Sequence, residues 1–95
     1  MAPLSEAEVT QRLAGVPGWK LEDDGRAISC ERTLADFAAA IAFVDRVAGL
    51  AEAANHHPDS LVHAYKRVRL VLSTHSQGGL TDADFELAGQ IDALA

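Results

Sequence analysis

Three stretches of this chain repeat one four-residue signature: Ser5-Glu6-Ala7-Glu8, Thr33-Leu34-Ala35-Asp36 and Thr81-Asp82-Ala83-Asp84. Each puts a hydroxyl residue three positions ahead of an acid. The hydroxyl side chain accepts from the third backbone N–H of a helix, and the acid reaches back to the N–H of the cap. Three such boxes predict three helices. They also leave two gaps that something other than helix must fill, and this constrains the fold more than any other feature of the chain.

The first helix is predicted over roughly 5–14, stopping before Gly15 and Pro17-Gly18. The second is the longest. Leu34, Phe37, Ile41, Val44, Ala48 and Ala51 recur at spacings of three and four, one apolar stripe over about 34–54. At 1.5 Å per residue that is roughly 30 Å. Its other side is apolar too, with Ala38, Ala39, Ala42, Phe43, Val47 and Leu50. A helix apolar on two sides is buried on two sides; one side rests on a sheet and the other calls for a partner. The third helix starts at about 82, with Phe85, Ala88, Ile91 and then Leu94 or Ala95 directed inward.

Alternating runs fill the gaps. Trp19 to Glu22 and Ala27 to Arg32 alternate on either side of Asp23-Asp24-Gly25, a hairpin signal. Val68 to Thr74 reads as a further strand with Val68, Leu70 and Leu72 on one face, and Leu61 to Tyr65 as its partner, turning near Lys66. The order is helix, two strands, helix, two strands, helix. It predicts an α+β fold in which a four-stranded antiparallel sheet carries three helices packed on one face.

Ninety-five residues suit one domain spanning 1–95 with a modest core. Many of its apolar residues are alanines, which bury little area each, so association through the helix at about 34–54 into a homodimer or homotetramer is expected. The net charge of −6 argues against nucleic acid as a partner, and the strip Lys66, Arg67 and Arg69 reads as the solvated edge of a strand. The single Cys30 rules out an internal disulfide and reads as a buried structural thiol. MAPLSEAEVTQ lacks the basic and apolar segments of a signal peptide. No window approaches the roughly 20 apolar residues of a membrane span, and the expected location is cytoplasmic.

The chemistry concentrates in Asn55-His56-His57-Pro58-Asp59-Ser60. The two histidines follow the end of the long helix, where Asn55 suits a left-handed cap. Pro58 cannot extend a helix and biases His57 toward extended backbone. Adjacent side chains there point opposite ways, so His56 and His57 should do different jobs. His75 closes the strand ending at Thr74, ahead of the flexible Gly78-Gly79. If that strand lies beside the corner, three histidines meet at one rim of the sheet, while His63 sits apart. Histidine is the side chain best placed to give or take a proton near neutral pH, and two or three around one pocket supply an acid and a base. The competing readings are structural histidines and a zinc site built from them with Glu52 or Asp84. The spacing is not that of a helical HExxH pair, and no metal is expected.

These residues resemble a known family, the pterin-4a-carbinolamine dehydratases. The matching pattern is Glu52, three residues, His56-His57-Pro58, six residues, Tyr65, nine residues, His75, then eight residues to Asp84. Around it stand STHSQGGLTDADFELAGQID (73–92) and Gly18-Trp19. The resemblance spans nearly the whole chain. It implies a helix-covered four-stranded antiparallel sheet and a hydro-lyase that removes water from a 4a-hydroxytetrahydropterin, giving quinonoid dihydropterin. That reaction recycles the cofactor of aromatic amino acid hydroxylases and needs no metal or organic cofactor; the pterin is the substrate.

By the same resemblance His56 and His75 match the family's acid/base histidines, and His57 the third active-site histidine. Glu52 and Asp84 match its acidic positions, and Pro58 stiffens the corner. Glu52 could orient a histidine or meet the amide edge of the pterin. Asp84 could cap its helix and steady the histidines together. Ser76 stands where many relatives carry an acid, Lys66 where many carry Asn, and the stretch from Pro58 to Tyr65 is the longer of the two lengths the pattern tolerates. The runner-up function is a non-catalytic pterin-binding or protein-dimerisation module.

Overall fold

The computed structural model of the protein describes residues 3–94; the inward position expected of Ala95 lies outside them. Helix α1 (Glu6–Leu13) opens the chain. Strands β1 (Lys20–Glu22) and β2 (Ala27–Thr33) form the first hairpin, and helix α2 (Phe37–Ala54) follows. Strands β3 (Asp59–His63) and β4 (Arg67–Leu72) form the second hairpin, ahead of helix α3 (Asp82–Asp92). Every pairing is antiparallel and the strand order is β1-β2-β4-β3. The hairpins therefore join through β2 and β4 in the middle of one sheet. This is the α-β-β-α-β-β-α sandwich expected from the sequence.

The capping signatures fare unequally. Ser5 caps α1 with the full reciprocal box, its backbone N–H donating to Glu8 at 2.9 Å. In α3 the Thr81 N–H donates to Asp84 Oδ2 at 2.9 Å. The middle signature is not a box. Thr33 is the last residue of β2, paired with Arg67, and the next N–H, of Leu34, donates to the Lys66 carbonyl at 2.8 Å. The sheet thus holds the chain extended through the expected cap. Asp36 becomes the cap instead, accepting from the Ala39 N–H at 2.8 Å. Helix α2 accordingly starts three residues later than its apolar stripe suggested.

The two faces of the sheet differ. Ile28, Cys30, Val68, Leu70 and Leu72 alternate onto the face covered by helices and join a core with Val9, Phe43, Val47, Phe85, Leu87, Ala88 and Ile91. Each large apolar side chain buried there contributes about 1.5–3 kcal/mol. Trp19 locks the rim, its indole N–H donating to Asp92 at 3.0 Å, and Arg32 pairs with the same carboxylate.

Helix α2 rests on the core through Ala40, Phe43, Val47 and Ala51. Phe37 and Ile41, from the stripe expected to organise the helix, are 55% and 44% exposed. Both sides of α2 satisfy a 3.6-residue period, so periodicity alone could not choose between them. The β3–β4 hairpin also differs from expectation. Its turn is Ala64-Tyr65-Lys66, with Ala64 and Tyr65 at φ 48° and 50°, so Tyr65 stands exposed at the tip rather than in a strand.

Candidate functional site

The corner after α2 is rigid for a backbone reason. Asn55 is left-handed (φ 51°, ψ 43°). The Asn55 N–H donates to the Glu52 carbonyl at 3.2 Å, and the His56 N–H to the Ala51 carbonyl at 3.0 Å. This is the two-bond Schellman closure, in which asparagine is the common substitute for glycine. Pro58 then feeds the chain into β3 at Asp59. His56 and His57 thus hang from a fixed frame.

Their side chains part as expected. His56 turns inward, its side chain 15% exposed, with Nε2 at 2.5 Å from Oδ1 of the fully buried Asp84. Asp84 also accepts from the Thr74 hydroxyl at 2.7 Å and from the Thr81 N–H at 2.9 Å, both on Oδ2. One carboxylate therefore caps α3 and ties down both the end of the β4 strand and the corner histidine. His57 turns outward and its Nε2 contacts Glu52, an exposed pair five residues apart that spans the end of α2. In both histidines Nε2 is the ring atom that meets a carboxylate, and Nδ1 makes no hydrogen bond among the described residues.

Beyond β4, Thr74 bridges to Gly79 and the turn His75–Gln77 closes on Gly78 at φ 74°, a backbone angle suited to glycine. His75 is exposed and makes no side-chain hydrogen bond among the described residues. It faces a groove of about 290 Å³ on the side of the sheet not covered by helices. His57 and Asp59 line the groove from the β3 edge, Glu22 and Asp23 from the β1 edge, and Ala27, Val71 and Ser73 from the strands between. Ligand sites are concave and run to about 300–1,000 Å³, so this one suits a single small ring system.

The structure therefore brings His57 and His75 to one groove, with His56 and Asp84 directly behind the corner. Pro58 follows the histidine pair at the corner, and Glu52 contacts His57. Tyr65 lies at the far tip of the β3–β4 hairpin, its ring 5.6 Å from Lys66 Nζ, and does not line the groove. His63 sits apart, at 2.6 Å from Glu31. No cluster of three or more His, Cys, Asp or Glu side chains among the described residues is arranged to hold a metal ion.

Sequence reasoning missed Glu22, Asp59, Arg69 and Ser73. The signal was present: they alternate onto the face opposite the core residues. Without the strand register, polar residues on that face read as ordinary solvated positions. Glu22 is held in place by Ser29, whose hydroxyl donates to Oε1 at 2.7 Å, and by Arg69, whose guanidinium donates to the same oxygen at 3.0 Å. The Ser29 hydrogen bond first, and the Arg69 bond and charge second, lower the Glu22 carboxyl below its ordinary value.

Residues 2–94 match the family model of pterin 4 alpha carbinolamine dehydratase. The chain belongs to this family. A Chloroflexus aggregans protein named "Putative pterin-4-alpha-carbinolamine dehydratase" is 55% identical over 94 residues, covering 99% of this chain and 98% of the relative. An Acidobacterium capsulatum protein of the same name is 49% identical over 96 residues, at 99% of both. A crystal structure of a transcriptional coactivator/pterin dehydratase from Brucella melitensis superposes with a TM-score of 0.90 over 98% of both chains, at 35% identity. A pterin dehydratase-like protein identified as a RuBisCO assembly factor of the α-carboxysome shares the fold at TM-score 0.67, over 82% of this chain and 89% of its own, at 23% identity. Family membership makes the protein a hydro-lyase acting on a pterin carbinolamine. No helix among the described residues is long and apolar enough to cross a membrane.

Proposed function

We propose that the protein dehydrates 4a-hydroxytetrahydropterin by histidine acid/base catalysis, in recycling the pterin cofactor of aromatic amino acid hydroxylases. The observation that carries this reading is that His57 and His75 share one groove, while His56 is fixed at the same corner by Asp84.

The reaction removes the proton on ring N5 and the hydroxyl on C4a. As the N5 proton leaves to a base, the nitrogen electron pair forms the C4a–N5 double bond. The C4a–O bond breaks, and an acid protonates the departing hydroxyl so that it leaves as water. A neutral histidine accepts the first proton through its open nitrogen, and a protonated one delivers the second. His57 and His75 supply these roles from two sides of the groove. His56, with Nε2 held on Asp84, keeps Nδ1 available for proton exchange and maintains the frame from which His57 projects. The two protons balance, so the histidine set returns to its starting state by exchange with solvent.

The reading extends to assembly. Phe37 and Ile41, with the exposed Ala38 and Ala42 beside them, make the outer side of α2 an apolar patch of the kind that marks an interface. We propose that the protein self-associates there as a homodimer or homotetramer, and that it works in the cytoplasm. The same patch favours the second reading, a dimerisation module with little catalysis.

The experiment that separates the two is the rate of 4a-hydroxytetrahydropterin dehydration, followed by absorbance, for wild type and His75→Ala beside an enzyme-free control. Acceleration by wild type that the folded variant loses supports catalysis. A wild-type rate equal to the control leaves the docking role.

A further inference from the structure

The groove has a second polar centre that the acid/base chemistry does not use. Glu22 leaves β1 at one edge of the sheet, and His57 stands just ahead of β3 at the other. Continuing the antiparallel ladder past Ile28↔Leu72 and Asp59↔Val71 puts Ala27, Ser73 and His57 in one row with Glu22. Three strand spacings of about 4.8 Å separate the ends of that row, roughly 14 Å between backbones. Between them Ala27 and Ser73 offer only a methyl and a hydroxymethyl, so a flat ring can lie on the sheet with one end at the histidines and the other at Glu22.

Glu22 is prepared for a ligand rather than spent on the fold. Both of its hydrogen bonds, from Ser29 and Arg69, fall on Oε1. Oε2 makes none among the described residues. Arg69 gives Glu22 one of its five N–H donors. Side by side, the pair offers an Arg69 donor and then the two open lone pairs of Glu22 Oε2 along one edge.

A pterin presents the complement. Its pyrimidine half carries a carbonyl oxygen at C4, an N–H at N3 and an amino group at C2, in that order, an acceptor followed by two donors. Resting on the dehydratase reading above, we propose that Glu22 and Arg69 are the specificity element of the site. Glu22 accepts from N3–H and the 2-amino group, and Arg69 donates to the 4-oxo oxygen, which turns the C4a–N5 half toward His57 and His75. Glu52 cannot take this role as well, because it is paired with His57 and does not line the groove. The 2-amino-4-oxo edge is thereby the part of the substrate that the protein selects, and the C6 substituent is left at the open side of the groove.

The test compares wild type, Glu22→Gln and Arg69→Ala in two assays. One measures KM and kcat for carbinolamine dehydration. The other measures binding of 7,8-dihydropterin against its 2,4-dioxo counterpart, in which a carbonyl replaces the 2-amino group. Circular dichroism and thermal melts establish that the variants are folded. A charge-assisted hydrogen bond is worth about tenfold or more in affinity, and binding common to ground and transition states appears in KM. Glu22→Gln should raise KM about tenfold or more, change kcat less, and abolish the preference for the 2-amino ligand. Arg69→Ala should raise KM while keeping that preference. An active wild type matched by folded Glu22→Gln in both KM and ligand preference would overturn this assignment alone. A wild type that neither dehydrates nor binds pterin would overturn the dehydratase reading and this assignment with it.

Discussion

His56 Nε2 lies 2.5 Å from Asp84 Oδ1, joining the corner after α2 to the first turn of α3 across 28 residues of sequence. Asp84 is fully buried and accepts three hydrogen bonds, from Thr74, Thr81 and His56. Asp84→Asn keeps the shape but replaces an acceptor oxygen with an amide donor. At least one buried donor then loses its partner, at a cost of about 1–3 kcal/mol. For a domain of this size that lowers Tm by about 4 °C or more. Thermal melts check the stability effect. Rates taken well below the new Tm should fall as well, because the same change frees His56.

The histidines should separate by position. His57→Ala and His75→Ala each remove a group facing the groove and should cost roughly 10²–10⁴-fold in kcat. His63→Ala removes an exposed contact with Glu31 at 2.6 Å, away from the groove, and should leave the rate within twofold or so of wild type. Steady-state dehydration assays on the three folded variants check this ordering; equal losses would dissolve the groove assignment.

The outer side of α2 gives a prediction about assembly. Ile41→Glu puts a charge on a residue that is 44% exposed, so the subunit should fold while the assembly dissociates in analytical ultracentrifugation. Phe43→Glu is the contrasting control. Phe43 is buried against the sheet, and an unpaired charge there should unfold the protein rather than dissociate it.

Stability should fall in acid for a nameable reason. The Glu8 carboxyl is lowered first by the Ser5 backbone N–H and then by the Ser5 hydroxyl; the Glu22 carboxyl is lowered by Ser29 and then Arg69. Groups held below their unfolded value stabilise the fold fully above that value, about pH 4.3 for glutamate, and lose the effect as pH falls through the folded value. Chemical denaturation midpoints should therefore decline as the pH falls below about 4.3. Replacing Glu22 by Gln should make that decline shallower.

Cys30 should be silent to thiol reagents. Burial pushes its thiol up to about 11, and the side chain lies inside the core on β2. Labelling by a disulfide reagent at pH 8 should be slow in the native protein and rapid in denaturant. Fast native labelling would mean that the β1–β2 hairpin opens readily.

Much of the fold was legible from local rules. The Asp23-Asp24-Gly25 turn, the alternation of Val68, Leu70 and Leu72, and the caps at Ser5 and Thr81 depend on residues within a few positions of one another. Backbone hydrogen bonding and steric limits act over that same range, so each element could be placed without knowing the others. The Asn55-to-Pro58 corner was legible for the same reason, as was the divergence of His56 and His57.

The remaining features were decided between elements. Thr33 has the chemistry of a cap, yet pairing with Arg67 keeps it in the sheet. Phe37 and Phe43 both satisfy the helical period, and only packing into the core shared with the sheet and α3 selects Phe43. Asp84 reads as the acid of a capping box, and its hold on His56 appears only when α3 reaches the corner. Glu22, Ser29 and Arg69 lie on three different strands, and no local pattern links them. The order of the elements and the histidine corner can be read from the chain alone, because they follow from short-range backbone preferences. Tertiary structure decided which face became the core and which the groove, because those choices depend on the register of strands far apart in the chain and on which side of each element water is excluded.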